Sequence, residues 1–440
     1  MAKKKAEEVE IKLTRPPKVD TDVLIESIIA DLGSFGVVLQ KGSELEGRFD
    51  LRRPSGITSL DIDCGGGLPS GGLSQIAGPD GVGKNLLVYN YFSQVQKLYG
   101  DHTCIFMLCM EFPFDKMYAR KIGFKVPFSD YEIHTEQRRR QIYEENPLTK
   151  IEIAELKSST GCGEFHILRG PSEANLQAVV TLVDSNAYQI GAIDSWDSML
   201  TTSEDEVDLG DNPKIASASG IQSLWMKKIQ GALMPRKRCP SCFSMDLNFK
   251  KHNEGSYNYI CKCGWKGRRP FLEENETTII GIRQVRANLY KTSMRQREWK
   301  VGGAWALKHG KLIDIQLRPG EMLYYKDSKD SENSRTKIGK ELVYEITKGK
   351  AGTHEGKVGS FRYYFDPPKV DMEDNMINYC TVKNIIHRGG GVYYIGEEKF
   401  SSKEALQTAI REPKFKSVLW NMILKDAGLL HIRYADIETK

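Results

Sequence analysis

Gly78-Pro79-Asp80-Gly81-Val82-Gly83-Lys84-Asn85 lies between a short apolar stretch, Leu73–Ala77, and an apolar run with helical spacing. In that setting glycines let successive backbone N–H groups turn inward around a phosphate. The N-terminus of the following helix adds its positive end, and Lys84 can reach the outer phosphates. The segment predicts a nucleoside triphosphate ligand. Its last position departs from the usual phosphate-loop pattern, because Asn85 stands where Ser or Thr would ligate magnesium. An amide offers a neutral oxygen on a longer arm, so the sequence supports binding more firmly than turnover.

Working outward, apolar strand-like runs alternate with helical ones from about residue 55 to 366, the rhythm of a mostly parallel sheet covered by helices. This predicts an α/β fold with strands at Leu73–Ala77, Cys104–Cys109, Ile190–Asp194 and Thr278–Ile282. Ligands in such sheets sit at the carboxyl ends of strands, where the phosphate loop, Glu111, Asp194 and Gln284 all fall. Asp194 ends its strand in the position from which a carboxylate holds a magnesium-bound water beside the phosphates. Glu111 closes another strand, where a carboxylate suits deprotonating the water that attacks the γ-phosphate.

The chain of 440 residues is long enough for two or three domains. Residues 1–21 mix Lys, Glu and Pro without apolar periodicity and read as a flexible tail. Residues 22–47 carry Val23, Leu24, Ile28, Ile29 and Leu32 at helical spacing, then an extended Val37-Val38-Leu39, and read as a helix and strand for subunit contact. The core spans 48–366 and is interrupted at 124–163, which contains Arg138-Arg139-Arg140, and at 235–272. Beyond Asp366-Pro367-Pro368, residues 367–440 read as a small α+β module ending in a helical stretch from Ser402 to about Leu424. No run of about 18 apolar residues is present, and Met1-Ala2-Lys3-Lys4-Lys5 is too charged for a signal-peptide core. The expected address is the cytoplasm, without membrane partners.

Four of the nine cysteines crowd into Cys239-Pro-Ser-Cys242 and Cys261-Lys-Cys263. Two tight turns each supplying two thiolates match a tetrahedral, structural Zn²⁺ site. Around them Arg236, Lys237, Arg238, Lys250, Lys251, Lys262, Lys266, Arg268 and Arg269 face only Asp246 and Glu254, a surplus larger than the whole chain's net charge of +5. With Tyr257, Tyr259 and Trp265 interleaved, the segment predicts an auxiliary DNA-binding ribbon.

Glu111-Phe-Pro-Phe-Asp115-Lys-Met-Tyr118 resembles the RecA recombinase segment in which Glu activates water, Asp contacts adenine and Tyr stacks on it. The resemblance continues in order along most of residues 22–425. Leu39–Ser43 and Gly65–Ile76 precede the phosphate loop, and Glu206–Asp211 opens what would be the first DNA loop, which carries Lys214. Gly281–Arg286 resembles the strand whose Gln, here Gln284, senses the γ-phosphate and starts the second DNA loop, which closes at Gly302-Gly303. Lys348-Gly-Lys350 resembles the paired lysines that reach a neighbour's ATP across a filament interface. Gly390–Gly396 with its following helix resembles the RecA C-terminal domain.

What the resemblance implies is a RecA-like core that binds ATP and Mg²⁺, with Asn85 and, through water, Asp194 at the magnesium. It also implies a homo-oligomeric helical filament on single-stranded DNA that pairs with duplex DNA, served by a single-strand-binding protein and loader proteins. The second loop, with Arg286, Tyr290, Lys291, Arg295, Arg297, Trp299 and Lys300, combines cations with flat side chains, which suits single strands without reading sequence. The added segments are similar to those expected of a bacteriophage UvsX-like member acting in a bacterial host's cytoplasm or nucleoid. Two alternatives remain open at this point. One is a nucleotide-gated DNA-binding paralogue with little hydrolysis; the other is a RadA-like repair ATPase or ring helicase.

Overall fold

The four apolar runs that end in polar or charged residues become adjacent parallel strands, because stretches such as Ile190-Gly-Ala-Ile can bury both faces only between covering helices. In the computed structural model, the described residues are 49–205, 217–251, 257–267, 270–287, 299–301, 305–325 and 336–434. The expected 1–21 tail, the 22–47 helix and strand, Lys214, Tyr290, Lys291, Arg295, Arg297, Gly302, Gly303, Arg268 and Arg269 lie outside them. So do the side chains of Lys251, Tyr257, Arg286, Trp299 and Lys300. Contacts divide the described chain into two compact units, Pro235–Glu273 and the remainder.

The larger unit is built on one wide sheet. Glu164–Arg169, Cys104–Cys109, Ile190–Asp194, Thr278–Ala287, Gly72–Gly78 and Ile313–Tyr324 run parallel in that spatial order. Lys337–Gly349, Val358–Phe365 and Pro368–Val370 then extend it antiparallel. Register aligns Gly78 with Gln284, and Cys109 with Asp194, so the polar ends of four strands meet on one edge.

Helix Lys84–Tyr99 buries Leu86, Leu87, Tyr91, Phe92 and Val95 against one face and stops at Gly100, whose φ of +56° a helix cannot continue. On the other face Trp196 packs edge-on to Trp225 at 4.6 Å between ring centroids. That packing depends on Gly281, where an added Cβ would lie 2.2 Å from the Trp196 indole nitrogen. The contact fixes the chain just after Asp194.

The 124–163 segment contains helices Asp130–Ile142 and Lys150–Lys157, each opened by a reciprocal capping box, from Ser129 with Glu132 and from Thr149 with Glu152. Arg139 and Arg140 are engaged by Glu136, Glu145 and Glu152 on this hairpin. The helical stretch expected from Ser402 to Leu424 is two helices, Lys403–Arg411 and Pro413–Asp426. Pro413 has no N–H to give and takes the first turn of the second helix, so the break falls at Glu412. Met376, Ile377, Leu406, Ile410, Leu419 and Ile423 form this region's own core, and Ile62 packs against it.

Within Pro235–Glu273, strands Leu247–Lys251, Tyr257–Cys261 and Lys266–Gly267 form a small antiparallel sheet, and Arg236–Arg238 pairs with Phe271–Glu273. Among the described residues no helix is long and apolar enough to cross a membrane.

Candidate functional site

The phosphate loop joins strand Gly72–Gly78 to helix Lys84–Tyr99, with Gly81 and Gly83 at φ +66° and +113°. Gly78 must lack a side chain, since a Cβ there would lie 2.7 Å from Val82 and 3.0 Å from the Leu317 carbonyl. Lys84 Nζ donates to the Gly78 and Pro79 carbonyls, both at 3.0 Å, and lies 3.8 Å from Asp80. Burial lowers its pKa, and Asp80, Asp194 and Glu111 work against that shift. The lysine is therefore a partly desolvated cation at the loop, the condition in which an anion is bound most strongly.

Asp194 closes its strand almost fully buried, and burial raises its pKa above the ordinary carboxylate value. Its Oδ2 accepts from Asn85 Nδ2 at 3.0 Å. The residue that departs from the phosphate-loop pattern thus reaches the acid expected at the magnesium water. Its amide spends a donor there.

Glu111 is held at both oxygens. Ser195 Oγ donates to Oε2 at 2.8 Å, and Gln284 Nε2 donates to Oε1 at 2.9 Å. The backbone of Met110 also donates to the Asp194 carbonyl at 2.6 Å, which ties the two strand ends together. Glu111, Asp194 and Gln284, singled out in the sequence, are brought to one edge of the sheet, but the residue that positions the last was not among those expected. Asp197 accepts from the Gln284 backbone N–H and from the buried Arg283 guanidinium, both at 2.8 Å. A single Asp three residues beyond a strand end carries no pattern to flag it.

Asp115 accepts from the Tyr118 N–H at 2.9 Å and so caps helix Lys116–Ile122. The Tyr118 hydroxyl lies 3.2 Å from that of Tyr363, and its ring meets Tyr89 edge-on at 5.9 Å. Tyr363 was not anticipated; it arrives from a strand almost 250 residues away. Lys348 donates to the Lys308 and His309 carbonyls and Lys350 to His309, so both sit at the C-terminal end of helix Trp305–Gly310. Cations there oppose the negative end of a helix.

In the smaller unit the sulfurs of Cys239, Cys242, Cys261 and Cys263 all lie within 4.8 Å of one another, with the pairs Cys239–Cys263 and Cys242–Cys261 at 3.6 and 3.5 Å. Four thiolates about 2.3 Å from a tetrahedral zinc would stand about 3.8 Å apart, so the donor set fits that ion. Not all of the interleaved aromatic residues face outward. Tyr259 is buried with Leu247, Phe249 and Trp265 packed against it, because three short strands need an apolar filling of their own. Several cations are also engaged: Lys237 with Tyr259, Arg238 with Glu273, and Lys262 with Asp246. Among the described residues, Lys250 and Lys266 are exposed without an ion pair, and the pairing register puts them on the face opposite Tyr259.

No family model matches the chain. It is 24% identical over 417 residues to protein RecA of Corynebacterium glutamicum, covering 93% of this chain and 85% of that protein. Against protein RecA of Chloroflexus aurantiacus the identity is 23% over 351 residues, 79% of this chain and 73% of the relative. Protein RecA of Citrifermentans bemidjiense is 26% identical over 231 residues, 52% of this chain and 56% of its own length. The phosphate loop, the paired acids and the sheet that carries them thus belong to a chain similar, along most of its length, to the RecA proteins.

Proposed function

We propose that the protein is an ATP-dependent DNA recombinase of RecA type, which assembles as a filament on single-stranded DNA and promotes homologous pairing and strand exchange. The observation that carries this reading is the holding of Glu111 between Ser195 and Gln284, on the sheet edge that also bears Lys84 and Asp194. Glu111 is oriented to take a proton from an attacking water, while Lys84 and the loop N–H groups hold the phosphates. Magnesium, when bound, supplies charge shielding at the phosphates, with Asn85 and Asp194 as the residues to hold it. Gln284 touches the general base and continues into the strand before the second DNA loop, which gives a path from nucleotide to DNA grip. Tyr118 and Asp115, with Tyr363, would frame the base, and Lys348 and Lys350 would serve the neighbouring subunit.

The four cysteines would hold a structural Zn²⁺ in the inserted ribbon, a feature we take with the other additions as that of a phage UvsX-like member working in the cytoplasm. Lys250 and Lys266 are the ribbon's candidates for a DNA backbone contact.

Electron microscopy of the protein with single-stranded DNA and a non-hydrolysable ATP analogue tests the reading. Nucleotide-dependent helical filaments are expected, and rings or solitary molecules would overturn it. A second reading, a nucleotide-gated filament with little hydrolysis, is favoured by the Asn85–Asp194 contact. DNA-stimulated phosphate release with Mg²⁺, absent in Glu111→Gln, separates the two.

A further inference from the structure

Lys340 belongs to none of the motifs above, yet its Nζ donates to the carbonyl of Gly81 at the tip of the phosphate loop, at 2.6 Å. It comes from strand Lys337–Gly349, whose alternation puts Lys340, Leu342 and Tyr344 on one face. Leu342 and Tyr344 are fully buried in the core shared with helix Lys84–Tyr99, so this face is turned toward the phosphate loop. Lys340 is paired in register with Tyr363, whose hydroxyl meets that of Tyr118. The ammonium thus reaches the loop tip from a strand whose neighbour carries one of the paired tyrosines. Half burial lowers its pKa, and among the described residues its partner is one neutral carbonyl. A cation partly withdrawn from water without a counter-charge gains from an anion placed beside it. The loop tip is open on its outer side: an added Cβ at Gly81 would meet no heavy atom within 4 Å.

We propose that Lys340 is a second in-chain phosphate-binding cation, gripping the diphosphate portion common to ADP and ATP at the tip of the loop whose base Lys84 occupies. The inference rests on the nucleotide reading of the site and adds a binding residue to it. Lys340 would exchange the Gly81 carbonyl for a phosphate oxygen, a displacement within reach of a flexible side chain.

The test is titration calorimetry of the full-length protein with ADP, ATP and adenosine at several salt concentrations, using wild type, Lys340→Ala, Lys340→Arg and Lys84→Ala. Loss of one charge-assisted contact should raise the Kd of Lys340→Ala about tenfold for ADP and ATP. Its salt dependence should flatten, its adenosine affinity should stay unchanged, and Lys340→Arg should restore most of the loss. A merely structural prop for the loop would weaken adenosine as much as ADP and leave the salt slope alone, and that result overturns the proposal. Unchanged ADP affinity in Lys340→Ala alongside a loss in Lys84→Ala would sink the Lys340 role alone. Failure of the wild type to bind either nucleotide would sink the nucleotide reading, and this inference with it.

Discussion

In the proposed ATPase, Asn85 is the residue on which turnover would depend most directly. Its amide donates to Asp194, whose carboxyl burial holds above the ordinary range. Asn85→Ser replaces that amide with a hydroxyl of the kind magnesium prefers, so DNA-stimulated phosphate release should rise several-fold and saturate at lower Mg²⁺. Asp197 acts one contact further out. Asp197→Ala would leave the Arg283 guanidinium, almost fully buried, without its partner and strip the acceptor from the Gln284 N–H. A loss of about 3 kcal/mol in urea unfolding is expected, together with weaker coupling of ATP to DNA affinity. The matched variant Arg283→Met in the Asp197→Ala background should recover stability but not coupling.

At the scale of elements, the ribbon and the start of the large unit give separate expectations. The cysteine cluster ties two turns of a sheet whose own core is small. With zinc in the proposed site, its chelation should unfold Pro235–Glu273 while the large sheet survives, read as loss of ribbon amide protection with unchanged nucleotide binding. Helix Thr58–Asp63 is preceded by a turn in which Asp61 accepts from the Ser55 N–H, the Ser55 hydroxyl and the Gly56 N–H. Burial pushes the Asp61 carboxyl up to about 7. The native fold then keeps a proton that the unfolded chain releases near pH ~4. This contribution is full below about pH 4 and is lost as pH rises to about 7. Urea unfolding across that range should show a decline in wild type that Asp61→Asn lacks.

For the whole molecule, assembly is the property on which the proposed recombinase depends. Lys348 and Lys350 sit on carbonyls at the end of helix Trp305–Gly310, at a distance in sequence from the phosphate loop. If they serve a neighbour's triphosphate, Lys348→Ala with Lys350→Ala should leave ATP binding by single subunits within about twofold and abolish ATP-dependent filaments, because ligand bound between subunits favours the assembled state. Sedimentation with single-stranded DNA, with and without nucleotide, reads both effects.

Local pattern alone determined the α/β rhythm, the phosphate loop, the strand-ending acids and the paired cysteine turns. Each is written within a few neighbouring residues by periodicity or by ligand spacing. Only the tertiary structure decided that Asn85 bonds to Asp194, that Asp197 steadies Gln284, that Tyr363 meets Tyr118 and that Lys340 touches Gly81. It also placed Tyr259 as the ribbon's filling, and it divided one helical stretch at Pro413. Most of those contacts join residues separated by about 80 to 260 positions, brought together by strand order and register. Such neighbours leave no periodic trace in either segment, since each partner alone looks like an ordinary polar residue at the end of a strand.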